Sequence, residues 1–238
     1  MSSSHGHHHD HHDHDHDHDH DHDHAHPHSP PAPDDADQYD RYEVLLQTAL
    51  RELLDEKGII TADALHRQID YQDSLTPAIG GKIVAKAWLD PVFKKKLLAD
   101  PLKTINESFE LDITTPLDLV VLENTPTVHN VVVCTLCSCY PRMLLGIPPA
   151  WYKSIDYRSR IVVEPRKVLA EFGTHLPDDV EVRVSDSTAD LRFLVLPYQP
   201  AGTEGFSEAQ LAALVTRDSM IGTSLPLSAA STSAHAQK

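Results

Sequence analysis

Val131-Val132-Val133-Cys134-Thr135-Leu136-Cys137-Ser138-Cys139-Tyr140-Pro141-Arg142 contains every cysteine of the 238-residue chain. Thiols at i, i+3 and i+5 converge on one point only if the backbone curls around it. A helix turns by about 100° per residue and would spread Cys134 and Cys139 apart. A strand would put Cys137 and Cys139 on one face and Cys134 on the other. A tight loop closed around a metal ion satisfies all three. Thiolates suit zinc, iron–sulfur clusters or late first-row metals. Three sulfurs leave a coordination sphere incomplete, so something else must complete it.

Three other readings compete. A buried free cysteine packs as a small hydrophobe, but three within six residues is hard to attribute to packing. Cys134-x-x-Cys137 could be a redox pair. That motif normally opens a helix in a thioredoxin-like βαβ unit, a context the Pro141 region does not offer. A structural zinc site would need a fourth ligand, with His129 the nearest candidate, yet such sites usually come as two spaced pairs. The spacing therefore points to a metal and leaves its identity open.

Working outward, residues 128–133 form a β-rich run that delivers the chain into the cysteine loop. Residues 117–122 form a second, bounded by Pro116 and Asn124-Thr125-Pro126. A site at the end of a strand has a rigid first ligand. Downstream, Gly146-Ile147-Pro148-Pro149 and Trp151-Tyr152 make a turn into a short helix. Arg158, Arg160 and Arg166 are expected to pair with surface acids. The alternative is that some meet an oxidised-thiol anion or a partner's carboxylates. Glu164-Pro165 starts a helix that Gly173 ends. Val180, Val182 and Val184 alternate with Glu181 and Arg183 as a half-buried strand, residues 191–196 form another, and the pair suggests antiparallel β. Ser207-x-x-Gln210 is a capping box for a helix through Leu214.

Towards the N-terminus, Tyr39, Tyr42, Leu45, Leu46, Ala49, Leu50, Leu53 and Leu54 recur at helical spacing, and Gly58 stops the run. So wide a stripe must find a second surface, on its own domain or on a partner subunit. Thr61 caps a helix through Tyr71. Thr76-Pro77 starts one that runs to about Leu89, and Asp90-Pro91 repeats the device. Val92, Phe93, Leu97 and Leu98 give that last helix its apolar face, with Lys94-Lys95-Lys96 solvated and Trp88 in the core. Helices thus flank short strands without regular βαβ alternation. The expected class is α+β: a helical N-terminal arm plus one layered α/β globular domain with short, mainly antiparallel strands.

Residues 1–28 are almost wholly His and Asp, alternating strictly from His12 to His24. Nothing there can bury a core, so a disordered tail is expected. Imidazoles at that density bind Co²⁺, Ni²⁺, Cu²⁺ or Zn²⁺. The alternation with Asp is unlike a purification tag and favours a native tail that holds metal loosely. Residues 29–38 read as linker, 39–75 as the helical arm, 76–223 as the metal-binding globular part and 224–238 as a flexible tail. The formal charge of −16 argues against nucleic-acid and anionic-membrane partners. No apolar run is long enough to span a bilayer, and Met-Ser-Ser-Ser-His opens no secretory signal. Clustered cysteines in odd number do not make a disulfide framework. A soluble, cytoplasmic protein is expected.

Residues 40–223 resemble the metal-binding α subunit of nitrile hydratase. The likeness is carried by Cys-Thr-Leu-Cys-Ser-Cys-Tyr-Pro at 134–141, Lys86-Ala87-Trp88-Leu89-Asp90-Pro91 and Glu123-Asn124-Thr125-Pro126. Pro200-Ala201-Gly202-Thr203-Glu204-Gly205 and Thr216-Arg217-Asp218-Ser219-Met220-Ile221-Gly222 extend it. The γ subunit of thiocyanate hydrolase belongs to the same superfamily. The resemblance implies ligation by the sulfurs of Cys134, Cys137 and Cys139 and by the backbone nitrogens of Ser138 and Cys139. The sixth octahedral position stays open for water or substrate. It further implies sulfinic acid at Cys137 and sulfenic acid at Cys139, both on the ordinary oxidation ladder. Ser138 and arginines of a β subunit would hydrogen-bond these anions. Thr135 resembles the cobalt type, where the iron type has Ser, so one low-spin Co(III) per subunit is expected, with Fe(III) the alternative.

The implied activity is hydration of a small nitrile to an amide, with Cys137, Ser138 and Cys139 catalytic. The implied partners are a β-type subunit, in a heterodimer or heterotetramer, and an activator or metallochaperone. Arg142 departs from the pattern, because many nitrile hydratases have Trp there, and it is more similar to the thiocyanate enzyme. Thiocyanate hydrolysis is therefore the second function. A metal-storage or delivery protein, using the His-rich tail with the cysteine loop as a zinc knuckle, is the third.

Overall fold

Polar caps, two of them aspartate–proline pairs, set helix starts in the first half of the domain. In the computed structural model, which describes residues 41–113, 115–137 and 139–230, α1 spans Arg41–Glu56 and α2 spans Ala62–Ser74. The tail 1–28, the linker 29–38, Tyr39, Ser138 and residues 231–238 lie outside the described residues. The Thr61 hydroxyl accepts from the Ala64 amide at 3.1 Å and caps α2, as expected. Then come α3 (Ala78–Leu89), α4 (Pro91–Ala99) and α5 (Pro101–Phe109). Asp90 Oδ1 accepts from the amides of Val92 at 2.8 Å and Phe93 at 3.0 Å, with Pro91 at the first helical position. Asp100-Pro101 repeats this for α5, a helix that was not expected although its start carries the same signal.

The rest of the chain is β1 (Asp118–Glu123), β2 (Val128–Val133), α6 (Arg142–Leu145), α7 (Ala150–Lys153), α8 (Ile155–Arg160), α9 (Pro165–Glu171), β3 (Glu181–Asp186), β4 (Leu191–Leu196), α10 (Glu208–Ala212) and α11 (Arg217–Ile221). Both sides of the Ser207–Gln210 capping box are present. Mixed helix and strand holds, but the expected antiparallel pairing does not. β1 pairs with β4 and β2 with β3, each in parallel, in two two-stranded sheets. The stretch between β3 and β4 is short enough for a hairpin, which is why they looked like neighbours. Instead each strand joins one that lies before the helices α6–α9, and a helical crossover is what parallel strands require. β2 is buried at every position after Val128, as a strand covered on both faces should be.

The core gathers Ile83, Leu97, Ile105, Leu144, Leu145, Tyr152, Leu169 and Leu194, all essentially inaccessible. Trp88 is half-buried, its indole N–H donating to the Pro197 carbonyl at 2.8 Å. Lys94 is not simply solvated, because it pairs with Glu123 at 2.5 Å. The α1 stripe stays uncovered, with Tyr42 71% and Leu45 61% exposed, and α2 buries no residue.

His129 is not a fourth metal ligand. It is buried, and both ring nitrogens are engaged. Nε2 donates to the Gly222 carbonyl at 2.7 Å, so Nδ1 must accept, and the Asn124 side-chain amide donates to it at 3.3 Å. Asn124 Oδ1 in turn accepts from the Asn130 backbone at 2.7 Å. This network ties the end of β1 and the start of β2 to the end of α11. Gly222 has φ +93°, and a Cβ there would meet the Asn130 carbonyl oxygen at 2.0 Å, so only glycine fits.

Burial holds the His129 pKa below its ordinary 6.5, with the Gly222 hydrogen bond opposing. Above pH 6.5 the ring is neutral in both folded and unfolded chains. As pH falls below 6.5 the unfolded chain takes up a proton that the folded one refuses. Stability should then fall by up to about 1.4 kcal/mol per pH unit. Urea titrations at a series of pH values check this, and His129→Gln should flatten the slope below 6.5.

Candidate metal centre

β2 carries its ladder to the last residue, where the Ser187 amide donates to the Val133 carbonyl at 2.7 Å. The chain then leaves the sheet as a loop, and the three thiols come together. Cys134 Sγ lies 3.4 Å from Cys137 Sγ, which lies 3.1 Å from Cys139 Sγ, and all three fall within 4.8 Å of one another. The Cys137 amide donates to Cys134 Sγ at 3.3 Å. Cys134 is buried, Cys139 half-buried and Cys137 exposed. The cluster thus has a dry inner arm and an open outer edge.

These donors fit a metal ion. Bonds of about 2.3 Å to one ion put two thiolates about 3.3 Å apart at a right angle and about 3.8 Å apart at the tetrahedral angle. The separations of 3.4 Å and 3.1 Å are short enough for neighbouring thiolates to share one ion. Ser138, expected among the ligands, lies outside the described residues.

Each arm of the loop is held from a different element. Asp186, at the end of β3, faces Val133 in the parallel register. Its carboxylate accepts from the Thr135 amide at 2.9 Å and from the Thr135 hydroxyl at 2.5 Å. Arg158 Nη1 on α8 donates to the Cys137 carbonyl at 3.2 Å. The Tyr152 hydroxyl on α7 donates to the Cys139 carbonyl at 2.9 Å, and that of Tyr157 to the Val132 carbonyl at 2.7 Å. Tyr140, Tyr152, Trp151, Tyr157 and Phe172 stack edge-to-face behind the loop, Tyr140 and Tyr152 with ring centroids 5.2 Å apart. Burial pushes the pKa of both Tyr152 and Tyr157 up, so they stay neutral donors.

Of the three arginines, Arg160 pairs with Asp156, Glu164 and Glu171, and Arg166 binds the carbonyls of Leu176, Pro177, Asp178 and Val180. These two behave as surface and turn residues. Only Arg158 reaches the loop, its Nε buried and without a hydrogen-bond partner among the described residues. Burial pushes the Cys139 thiol up to about 12, helped by hydrogen bonds to Cys137 and Cys134, while the charge of Arg192 pulls the other way. Metal binding must displace these protons. Asp186, Tyr152, Tyr157 and Arg192 were not singled out from sequence. Asp186 could have been found only by knowing that β3 lies beside β2.

The family model for the nitrile hydratase alpha chain matches residues 41–224. The chain belongs to this family. It is 54% identical over 179 residues to a low-molecular weight cobalt-containing nitrile hydratase subunit alpha of Rhodococcus rhodochrous, covering 75% of this chain and 86% of the relative. A thiocyanate hydrolase subunit gamma of Thiobacillus thioparus is 45% identical over 192 residues, covering 76% and 79%. Among solved structures, a recombinant thiocyanate hydrolase comprising partially modified cobalt centres superposes with a TM-score of 0.73 at 42% identity, covering 81% of this chain and 93% of that one. A double mutant of the Fe-type nitrile hydratase from Comamonas testosteroni Ni1 gives 0.72 at 44%, covering 80% and 94%. The nitrile hydratase alpha fold thus accounts for the whole described globular part, and cobalt and iron types both stand among its neighbours.

Asp186→Ala removes both bonds that hold Thr135 and should weaken metal retention by about 10–100-fold. Asp186→Asn keeps an acceptor for the Thr135 amide and should fall between. Metal content after timed exposure to a chelator reads the difference.

Proposed function

We propose that the chain is the metal-binding catalytic subunit of a nitrile hydratase, adding water to a nitrile to give an amide. The observation that carries this reading is the convergence of the Cys134, Cys137 and Cys139 thiols at the open end of β2, within a nitrile hydratase alpha fold. These sulfurs, with the backbone nitrogens of Ser138 and Cys139, would hold one low-spin Co(III). Thr135 and the cobalt-containing relatives support cobalt over iron. When bound, the ion supplies Lewis acidity toward the nitrile nitrogen.

The chain's own residues do the rest. Buried Cys134 keeps water from the inner arm. Asp186, Arg158 and Tyr152 fix the three arms, so little ordering remains for the reaction itself. Hydration puts the water oxygen on the nitrile carbon and both water protons on the nitrogen. A base and polar groups must therefore stand at the open edge, and we assign Cys137, Ser138 and Cys139 to it. We assign sulfinic acid to Cys137, whose exposure gives an oxidant access, and sulfenic acid to Cys139. Arg158 and Arg192 bring positive charge toward these anions from within the chain.

A β-type subunit would complete the site in a heterodimer or heterotetramer. The bare α1 stripe and Leu136 at the loop tip, 86% exposed, support this reading. The odd number of cysteines, clustered within six residues, supports a reducing, cytoplasmic location. Arg142, exposed at the start of α6, and the gamma-subunit relative favour a second reading, thiocyanate hydrolysis. Assaying the purified complex with a small nitrile and with thiocyanate separates the two. Amide formation without thiocyanate breakdown supports the first reading, and the converse supports the second.

The His/Asp tail is a capture device for cobalt in this account, acting beside an activator or metallochaperone. Imidazole sites are labile and suit capture, whereas a low-spin Co(III) site is inert and suits catalysis. Deleting residues 2–28 should leave turnover per bound cobalt nearly unchanged and lower the cobalt-loaded fraction when cobalt is scarce during expression. Loss of turnover at full loading counts against the capture role.

A further inference from the structure

A concave pocket of about 360 Å³ opens where β1 and β4 reach their carboxyl ends, at Glu123 and Leu196. That volume lies in the range of ligand pockets, about 300–1,000 Å³. β1 turns back into β2 just beyond it, through an antiparallel bridge between Thr125 and Val128. The pocket therefore lies about one strand length from Cys134 and shares no residue with the thiol cluster. Its walls are rings: Trp88, Pro91, Pro197, Tyr198 and Pro200. The Trp88 indole is pinned by its bond to Pro197, so that wall is rigid. Tyr198 is 57% exposed, and Leu89 and Val92 continue the apolar surface beside it. Charge enters through the Lys94–Glu123 pair and Glu204.

Aromatic and pyrrolidine walls with few free donors suit a polyproline II segment. Such a helix has three residues per turn and no internal hydrogen bonds, so every third side chain falls on one edge. This chain carries a matching segment, His26-Pro27-His28-Ser29-Pro30-Pro31-Ala32-Pro33-Asp34-Asp35, outside the described residues. Pro27, Pro30 and Pro33 recur at the three-residue period. Its flanking groups offer hydrogen-bond partners to the pocket, with the His26 and His28 imidazoles as donors for Glu204 and Asp34 and Asp35 as further acceptors for Lys94. From Pro33 to Arg41, where α1 begins, the chain can span up to about 28 Å.

We propose that this pocket is the docking site for the chain's own residues 27–33. Docking holds the His-rich segment against this face of the domain, and it does not depend on which metal or substrate the cysteine loop serves.

The test is hydrogen–deuterium exchange on the full chain in its purified complex, compared with a Pro27→Ser/Pro30→Ser/Pro33→Ser variant. The family match begins at residue 41, beyond the substituted positions, and far-ultraviolet circular dichroism of the variant checks that the fold is kept. Exchange of the amides at 198–204 should become several-fold faster in the variant, with 131–133 unchanged. Tyr198→Ala should produce the same increase. A photo-crosslinking residue introduced in place of Ala32 should link to 88–94 or 197–204 of its own chain. Unchanged exchange in the triple variant, or crosslinks only into a different subunit or a second copy, overturns the proposal.

Discussion

Cys137→Ala and Cys139→Ala should each abolish metal retention and turnover together. Cys137 Sγ sits between the other two thiols, 3.4 Å from one and 3.1 Å from the other, so its loss removes the sulfur that joins the cluster. Cys139 supplies the last sulfur arm, and without that thiolate its backbone nitrogen, which alanine keeps, has no anchor beside the metal. No other His, Cys, Asp or Glu among the described residues joins this cluster. His129, the nearest candidate in sequence, has both nitrogens engaged. The fold should survive, because Cys137 is exposed. Metal analysis and circular dichroism together make the check: an unchanged far-ultraviolet spectrum with no bound metal is the expected outcome. A variant that keeps stoichiometric metal would contradict the assignment. Cys134→Ala should also lose the metal but cost stability as well, because Cys134 is buried.

The second large effect is dependence on a different subunit. Expressed alone, the chain should be inactive, poorly oxidised or prone to aggregate, and co-expression with a β-type subunit should restore a soluble, active complex. Two observations motivate this. The α1 face presents Tyr42, Leu45, Leu46, Leu50 and Leu53 to solvent, each at least 46% exposed, and Leu136 is bare at the tip of the metal loop. A monomer rarely leaves so much contiguous apolar surface uncovered. Oxidised Cys137 and Cys139 would also put negative charge in a partly buried loop, and such charge is costly unless paired. Arg158 donates only to a backbone carbonyl there, which leaves the anions needing further donors. Size-exclusion chromatography and activity of each preparation read the result. A fully active, correctly oxidised monomer would refute the dependence.

What the sequence disclosed follows from the range of each interaction. Asp90-Pro91, Thr61 and Ser207–Gln210 act within one helical turn, so their helices were legible. The run 128–133 was legible as a strand because four of its six residues are valine, a local signal. Strand partners are set by contacts some fifty residues apart, as between Val133 and Asp186, and nothing in 180–196 alone tells β3 and β4 to part. That one mispairing also hid Asp186, whose place beside Thr135 depends on β2 lying next to β3. His129 could be noticed as a nearby ligand type, but its satisfaction by Gly222 comes from the far end of the chain. The three cysteines were legible because their convergence needs only six residues of loop.

The central claim is that these thiols form an oxidised metal claw. The most direct test is the mass of the peptide spanning Cys134 to Cys139 from native, active protein, together with metal analysis of the same preparation. The account predicts two added oxygens on Cys137, one on Cys139, none on Cys134, and one cobalt per chain. Three unmodified thiols in active, metal-loaded protein, or labile zinc in place of cobalt, would contradict it.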